Sequence, residues 1–109
     1  MKRQYKVGEI YLAYEGRKER PVLIINNGLG IDIDLTLARI TGTKARNEFD
    51  VELKHWKEAG LNKPSVVRCS KITTIRPGNP LLKIGKIHEE DWQNVKRCVI
   101  EYFNKGFEN

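Results

Sequence analysis

The side-chain types that most often bind metals or act as nucleophile and base are scarce in this 109-residue sequence: His55, His88, Cys69 and Cys98 are the whole supply of histidine and cysteine. Their spacing matches no zinc-ligand motif, and two cysteines make no disulfide framework. They read as reduced thiols in or beside a core, and neither metal nor other cofactor is expected. Positive charge is plentiful instead, with 20 Lys+Arg against 14 Asp+Glu and a net charge of +6. The excess lies in two blocks: six cationic residues against three acidic in residues 1–20, and nine against four in residues 39–76. Clustered guanidinium and ammonium groups are the footprint of a face that binds a polyanion such as nucleic acid, and a solvated basic surface gives the same count.

The elements that must position these groups can be read from periodicity. Val7–Tyr14 alternates as a strand, and Glu15–Arg20 interrupts it as a charged turn. Pro21–Ile25 is a short apolar run that suits a central strand, its proline at the first position where no ladder donor is lost. Asn26–Gly30 reads as a turn, Ile31–Thr43 and Phe49–Leu53 as strands, and His55–Leu61 as helical turns stopped by Gly60. Ser65–Ile75 and Leu81–Ile87 are further strands, separated by a break at Arg76–Pro80. The long helix is C-terminal. Trp92, Val95, Val99, Tyr102 and Phe103 share its face with Cys98 and Ile100 at the edges, His88 is its N-cap and Gly106 its C-cap. Ile87 and Trp92 have the spacing of a hydrophobic staple. Strands followed by one helix predict a β-dominated α+β domain, a small, strongly bent sheet or barrel closed by a helix. A chain of this size holds one domain, residues 1–109, and excludes large multidomain enzymology. No run reaches the roughly 20 apolar residues of a membrane span, no signal-peptide core follows the N-terminal residues, and the expected location is the cytoplasm.

Several segments in order carry a resemblance: Gly8-Glu9-Ile10-Tyr11-Leu12, Arg20-Pro21-Val22-Leu23-Ile24-Ile25-Asn26-Asn27, Ile40-Thr41, Gly60-Leu61-Asn62-Lys63-Pro64-Ser65-Val66-Val67-Arg68, Ile72-Thr73-Thr74-Ile75 and Ile84-Gly85-Lys86-Ile87. In order and spacing the chain resembles the PemK/MazF family of toxins over nearly its whole length. The resemblance implies the SH3-like barrel with a C-terminal helix that this family shares with CcdB. It also implies a homodimer and a metal-independent endoribonuclease acting on single-stranded RNA, mRNA in particular. A cognate antitoxin with an acidic segment, with which such toxins bind DNA, and inhibition of growth are further implications.

Cleaving RNA without a metal requires the ribose 2′-OH to attack phosphorus, giving a 2′,3′-cyclic phosphate and a 5′-OH end. That takes a proton acceptor, neutralisation of the leaving oxygen and positive charge on the phosphate. Arg20 matches the arginine before the family's Pro-Val-Leu and is assigned to the phosphate, because a guanidinium stays charged and presents a planar fork of donors. Thr41 matches the threonine after the family's third strand and would orient the reactants. Arg68 matches the arginine of the Arg-Cys-Asp found in some members, but Ser70 stands where the aspartate would be, so that acid–base pair is incomplete. Arg17, Lys18, Lys44 and Arg46 bracket the implied site as phosphate contacts. Asn27, Thr43 and Ser70 complete the RNA-binding set, and Trp56 and Tyr11 are offered for base stacking. Tyr11 also has the pattern of a core residue. His55 and His88 fall at no family catalytic position.

Many relatives carry a long segment between the first two strands that covers the site. Here only Glu15 to Glu19 separates Tyr14 from Arg20, too short for a lid, which implies a more open groove. The short loop and Ser70 keep a second reading open: a non-catalytic RNA- or protein-binding module, or a gyrase inhibitor like CcdB, on the same fold.

Overall fold

Alternating Glu9–Glu15 and the apolar stretch of Lys18–Asn26 form β1 and β2, which pair antiparallel from Ile10↔Leu23 to Glu15↔Lys18. The turn between them is only Gly16-Arg17. Gly16, at φ +62°, supplies the left-handed backbone that a tight two-residue hairpin takes at its first central position. In this computed structural model, which describes residues 5–78 and 80–109, the strands continue with β3 (Leu35–Thr41), β4 (Asp50–Glu52), β5 (Val66–Ile75) and β6 (Leu82–Lys86), followed by helix α1 (Glu89–Phe107). Lys2 and Arg3 of the first basic block and Asn79 of the expected break lie outside the described residues. The strands make one antiparallel sheet in the order β4-β5-β3-β2-β1-β6. The architecture is the β-dominated α+β expected.

Register shifts bend that sheet at three places: Ile10/Tyr11 against β6, Ile24/Asn26 against β3, and Ala38/Arg39 against β5. At the last, Ala38 pairs with Ile72 while Arg39 pairs with Arg68, so Cys69, Ser70 and Lys71 are looped past one peptide of β3. Such bulges sharpen twist and re-aim side chains. The Lys54–Gly60 turns pack on edge strand β6. Leu61 N–H bonds to the Trp56 carbonyl and Gly60 N–H to that of Lys57, the paired bonds of a Schellman stop, with Gly60 at φ +96° as expected. A Cβ on Gly85 would strike the Ala59 carbonyl, so β6 and this turn touch backbone to backbone.

Alternation sends apolar residues to both faces. On one, Ile10, Leu23, Ala38, Ile40, Val67 and Cys69 pack with Val95 and Cys98 of α1. On the other, Tyr11, Ile24, Leu35 and Leu37 form a smaller cluster with Tyr5, Val22, Ile75 and Leu81 against it.

Four details differ from expectation. Glu15 and Lys18 to Arg20 are strand, because the hairpin ladder runs to its two-residue turn. Residues 31–34 are not strand: a short 3-10 turn at Gly28–Gly30 leads into an Asp32 side chain that accepts from Asp34 N–H, and Ile31 and Ile33 are exposed. The inward stripe of α1 is centred on Asp91, Val95 and Cys98, leaving Phe103 partly exposed. Gly106 lies inside the helix, whose C-cap is Glu108. His88 is the N-cap, its side chain accepting from Glu90 N–H at 3.1 Å.

Candidate active site

The face opposite α1 carries a groove of about 740 Å³. Its apolar lining includes Leu12, Val22, Leu37, Ile75 and Leu81, and its cations are Arg20, Arg39, Lys71 and Arg76. Strand parity explains their convergence. In β2, Arg20, Val22 and Ile24 point the same way; in β3, Leu35, Leu37, Arg39 and Thr41 do. Cross-strand pairs Val22↔Arg39 and Arg39↔Arg68 align these sets, and Asp50↔Arg68 continues the row to β4. Arg20 and Thr41 each lie two residues beyond the Val22–Arg39 pair, in the same direction along the sheet. One face of three strands therefore carries Arg20, Arg39, Thr41 and Arg68.

Glu15, at the end of β1, enters this group from the hairpin. Its Oε2 pairs with an Nη of Arg39, and its Oε1 stands 3.6 Å from Nε of Arg20. One carboxylate thus faces two guanidiniums, with the Arg20 approach longer than a hydrogen bond. All three side chains are between about a third and a half exposed: 40% for Arg20, 34% for Arg39 and 49% for Glu15. Next to them, Nε of Arg68 is buried with no hydrogen-bond partner among the described residues, a donor whose desolvation is costly unless something binds it.

The loop from β3 to β4 is organised around Asp50. It accepts from the Arg46 backbone at 2.8 Å and from Arg46 Nε at 3.0 Å. Burial pushes the Asp50 carboxyl up, but the Arg46 hydrogen bonds and the charges of Arg46 and Arg68 outweigh it and hold the group below the usual carboxylate range. Thr41 Oγ1 accepts from Thr43 N–H at 3.2 Å and lies 3.1 Å from its hydroxyl, tying the end of β3 to the start of this loop. Lys44 is exposed on it.

The remaining expected residues separate. Arg17 and Lys18 are exposed at the hairpin tip, and Ser70 sits in the β5 bulge. Asn27 has a structural task, donating to the Tyr5 carbonyl and accepting from Leu29 N–H. Tyr11 is 2% exposed, its hydroxyl donating to Glu9 at 2.8 Å and its ring edge-on to Tyr5, so it belongs to the core and not to a base-stacking surface. Trp56 packs against the helix-side core, away from the groove lining. Arg39, Glu15, Lys71 and Arg76 were not expected. Parity with Thr41 was the available signal for Arg39; for the others, hairpin register and the bulge decide the direction, and neither is written in residue type.

Among the described residues, tertiary structure gathers one donor set: His55, His88 and Glu90, with ligand atoms within 4.8 Å of one another. It lies where the Lys54–Gly60 turns meet α1. His55 Nε2 is 2.8 Å from Glu90 Oε1, the two imidazoles stack at 3.7 Å, and His88 Nδ1 already receives the Glu90 N–H. The set is thus satisfied internally as the joint between turn and helix. The Glu90 hydrogen bond, with Glu58 and Asp91 behind it, raises the His55 pKa above its usual value. Cys69 and Cys98 are both buried and unbridged, as expected, and burial pushes the Cys69 thiol far up.

Comparison with known proteins follows the same lines. Residues 6–103 match the family described as PemK-like, MazF-like toxin of type II toxin–antitoxin system. Among solved structures, the fold is similar to the Mycobacterium tuberculosis toxin MazF-mt6, at 28% identity and a TM-score of 0.72 over 88% of this chain and 96% of that one. It is also similar to a mycobacterial endoribonuclease in complex with its cognate antitoxin, at 18% identity and a TM-score of 0.76 over 90% and 93% of the two chains. A MazE–MazF complex from Deinococcus radiodurans follows at 12% identity and a TM-score of 0.77, over 94% and 97%. No curated protein sequence matches.

Proposed function

The chain belongs to the PemK-like, MazF-like family of type II toxins, and on that premise we propose that it is an endoribonuclease that cuts single-stranded RNA, mRNA among it, without a metal. The observation that carries the reading is the carboxylate of Glu15 standing against Arg20 and Arg39 on an open, cation-lined groove. Arg20 binds a scissile phosphate oxygen and neutralises the departing 5′-oxygen. Glu15 takes the proton of the 2′-OH as its oxygen bonds to phosphorus and the bond to the 5′-oxygen breaks; the leaving 5′-oxygen, held by Arg20, takes a proton from water in the open groove. Thr41 orients the reactants, and Arg68, with a buried donor to spare, stabilises the added charge on phosphorus. This division of labour needs no aspartate at position 70. Ser70, Thr43, Lys44, Arg46, Arg17 and Lys18 hold flanking phosphates, while Asn27 and Trp56, engaged elsewhere in the fold, are left out of the RNA path.

The fitting partners are a second copy of the chain and an antitoxin whose acidic segment competes for the same cations, the pair binding DNA together. Growth inhibition in the cytoplasm would follow from mRNA cleavage. The two-residue hairpin leaves the groove uncovered, in keeping with an open substrate path.

Incubation of purified protein with a long single-stranded RNA in excess chelator tests the reading. Discrete cuts leaving 2′,3′-cyclic phosphate and 5′-OH ends are expected. Arg20→Ala should lower the rate by roughly 10²–10³-fold, the scale of losing a transition-state donor, with an unchanged melting temperature. Full activity of folded Arg20→Ala protein would remove Arg20 from the mechanism; binding without cutting would favour the non-catalytic module.

A further inference from the structure

We propose that Arg39 is a positioning residue that holds Glu15 ready to accept the 2′-OH proton while Arg20 is released to the phosphate. The inference rests on the ribonuclease reading above.

A carboxylate at the end of a hairpin strand, next to a two-residue turn and half exposed, has nothing in its own strand to fix its rotamer. Arg39 supplies that fixation from a place that is itself rigid. It lies in the middle of β3, paired to β2 through Val22 and to β5 through Arg68, and adjoins the Ala38/Arg39 irregularity. Its guanidinium crosses β2 to reach Glu15, and Ala13, opposite Arg20 and on the same side of β1 as Glu15, is too small to obstruct the approach. The two oxygens are engaged unequally. Oε2 is in contact with Arg39, whereas Oε1 is 3.6 Å from Arg20, beyond hydrogen-bonding range. An arriving phosphodiester can therefore take Arg20 without dislodging Glu15, and Oε1 is the oxygen left to receive a proton. Arg39 acts through Glu15, so its loss should slow chemistry more than it weakens binding.

The experiment compares single-turnover and steady-state cleavage of one RNA oligonucleotide by the wild type, Arg39→Ala, Arg39→Lys, Glu15→Gln and the Glu15→Gln/Arg39→Ala double variant, each checked by thermal melting. Arg39→Ala is expected to lower kcat roughly 10–100-fold with KM within about threefold, since misplacing a reacting group costs rate on this scale. Arg39→Lys should recover much of the loss. In the Glu15→Gln background the Arg39→Ala change should cost no more than about threefold, because the two residues act as one unit. A raised KM at unchanged kcat, fully additive losses, or a wild-type rate for folded Arg39→Ala would each overturn the proposal while leaving the ribonuclease standing. A wild-type protein that cuts no RNA would take both down.

Discussion

Asp91 of α1 and Glu15 of β1 are both carboxylates that join two elements, and the fold treats them in opposite ways. Asp91, in the first turn of α1, is fully buried and accepts from the backbone N–H groups of Lys54 at 3.0 Å and His55 at 2.9 Å. Both of these hydrogen bonds hold the helix to the turn after β4. Glu15 is half exposed and shares its two oxygens between two arginines, one of them out of hydrogen-bond range. The same contrast runs through both regions. The helix side pairs its polar groups and fills its space with Ile10, Leu23, Val67 and Val95; the groove side leaves Arg68 Nε without a partner among the described residues and keeps several like charges together. A face organised for stability satisfies its donors internally, whereas a face organised for a ligand leaves them to be satisfied by what binds.

Substitutions can break this contrast. Leu23→Ala, at a fully buried position opposite Ile10, should cost about 2–5 kcal/mol and lower the melting temperature by roughly 10 °C or more, measured by calorimetry. Activity per folded molecule at low temperature should be little changed. Arg20→Ala should do the reverse, with large loss of cleavage and stability within about 0.5 kcal/mol, because an exposed ion pair contributes little. If Arg20→Ala unfolds the protein, the groove is structural and the contrast fails. Asp91→Ala leaves two backbone donors unpaired in a buried place and should cost about 2–3 kcal/mol in denaturant titration; Asp91→Asn, which still accepts, should cost less.

The smallest effect concerns the joint beside Asp91. The Glu90 hydrogen bond raises His55 in the folded state. Its contribution to stability is then fully present below the unfolded value of about 6.5 and is lost as pH climbs through the higher folded one. An NMR titration should find the His55 midpoint above that value, and Glu90→Gln should bring it back down; an unchanged midpoint in the variant would show that the pair does not set it.

Much of this was legible in the chain. Period-two alternation located β1 and β4, a continuous apolar run located β2, and β-rich runs between breaks located β5 and β6; the Gly60 stop and the His88 cap were visible because they depend on neighbours within a few residues. Errors arose at local turns and helix ends, and where packing between elements decides. Ile31 and Ile33 look like strand residues, but the Gly28–Gly30 turn and the Asp32 side chain take that segment out of the sheet. Gly106 resembles a helix stop, yet α1 runs one residue past it. Tyr11 offers an aromatic ring suited to stacking, and its burial follows from the Tyr5 and Glu9 contacts on the second face.

By itself, the sequence determined the class of fold, the family resemblance and a clustered positive charge, since periodicity and composition are local and additive properties. The tertiary structure alone decided which charges meet. Glu15, Arg20 and Arg39 are contributed by three strands, and whether their side chains share a face depends on the register of the β1–β2 hairpin and of the β2–β3 pair. A shift of one residue in either would turn a strand's groove-facing side chains toward the core.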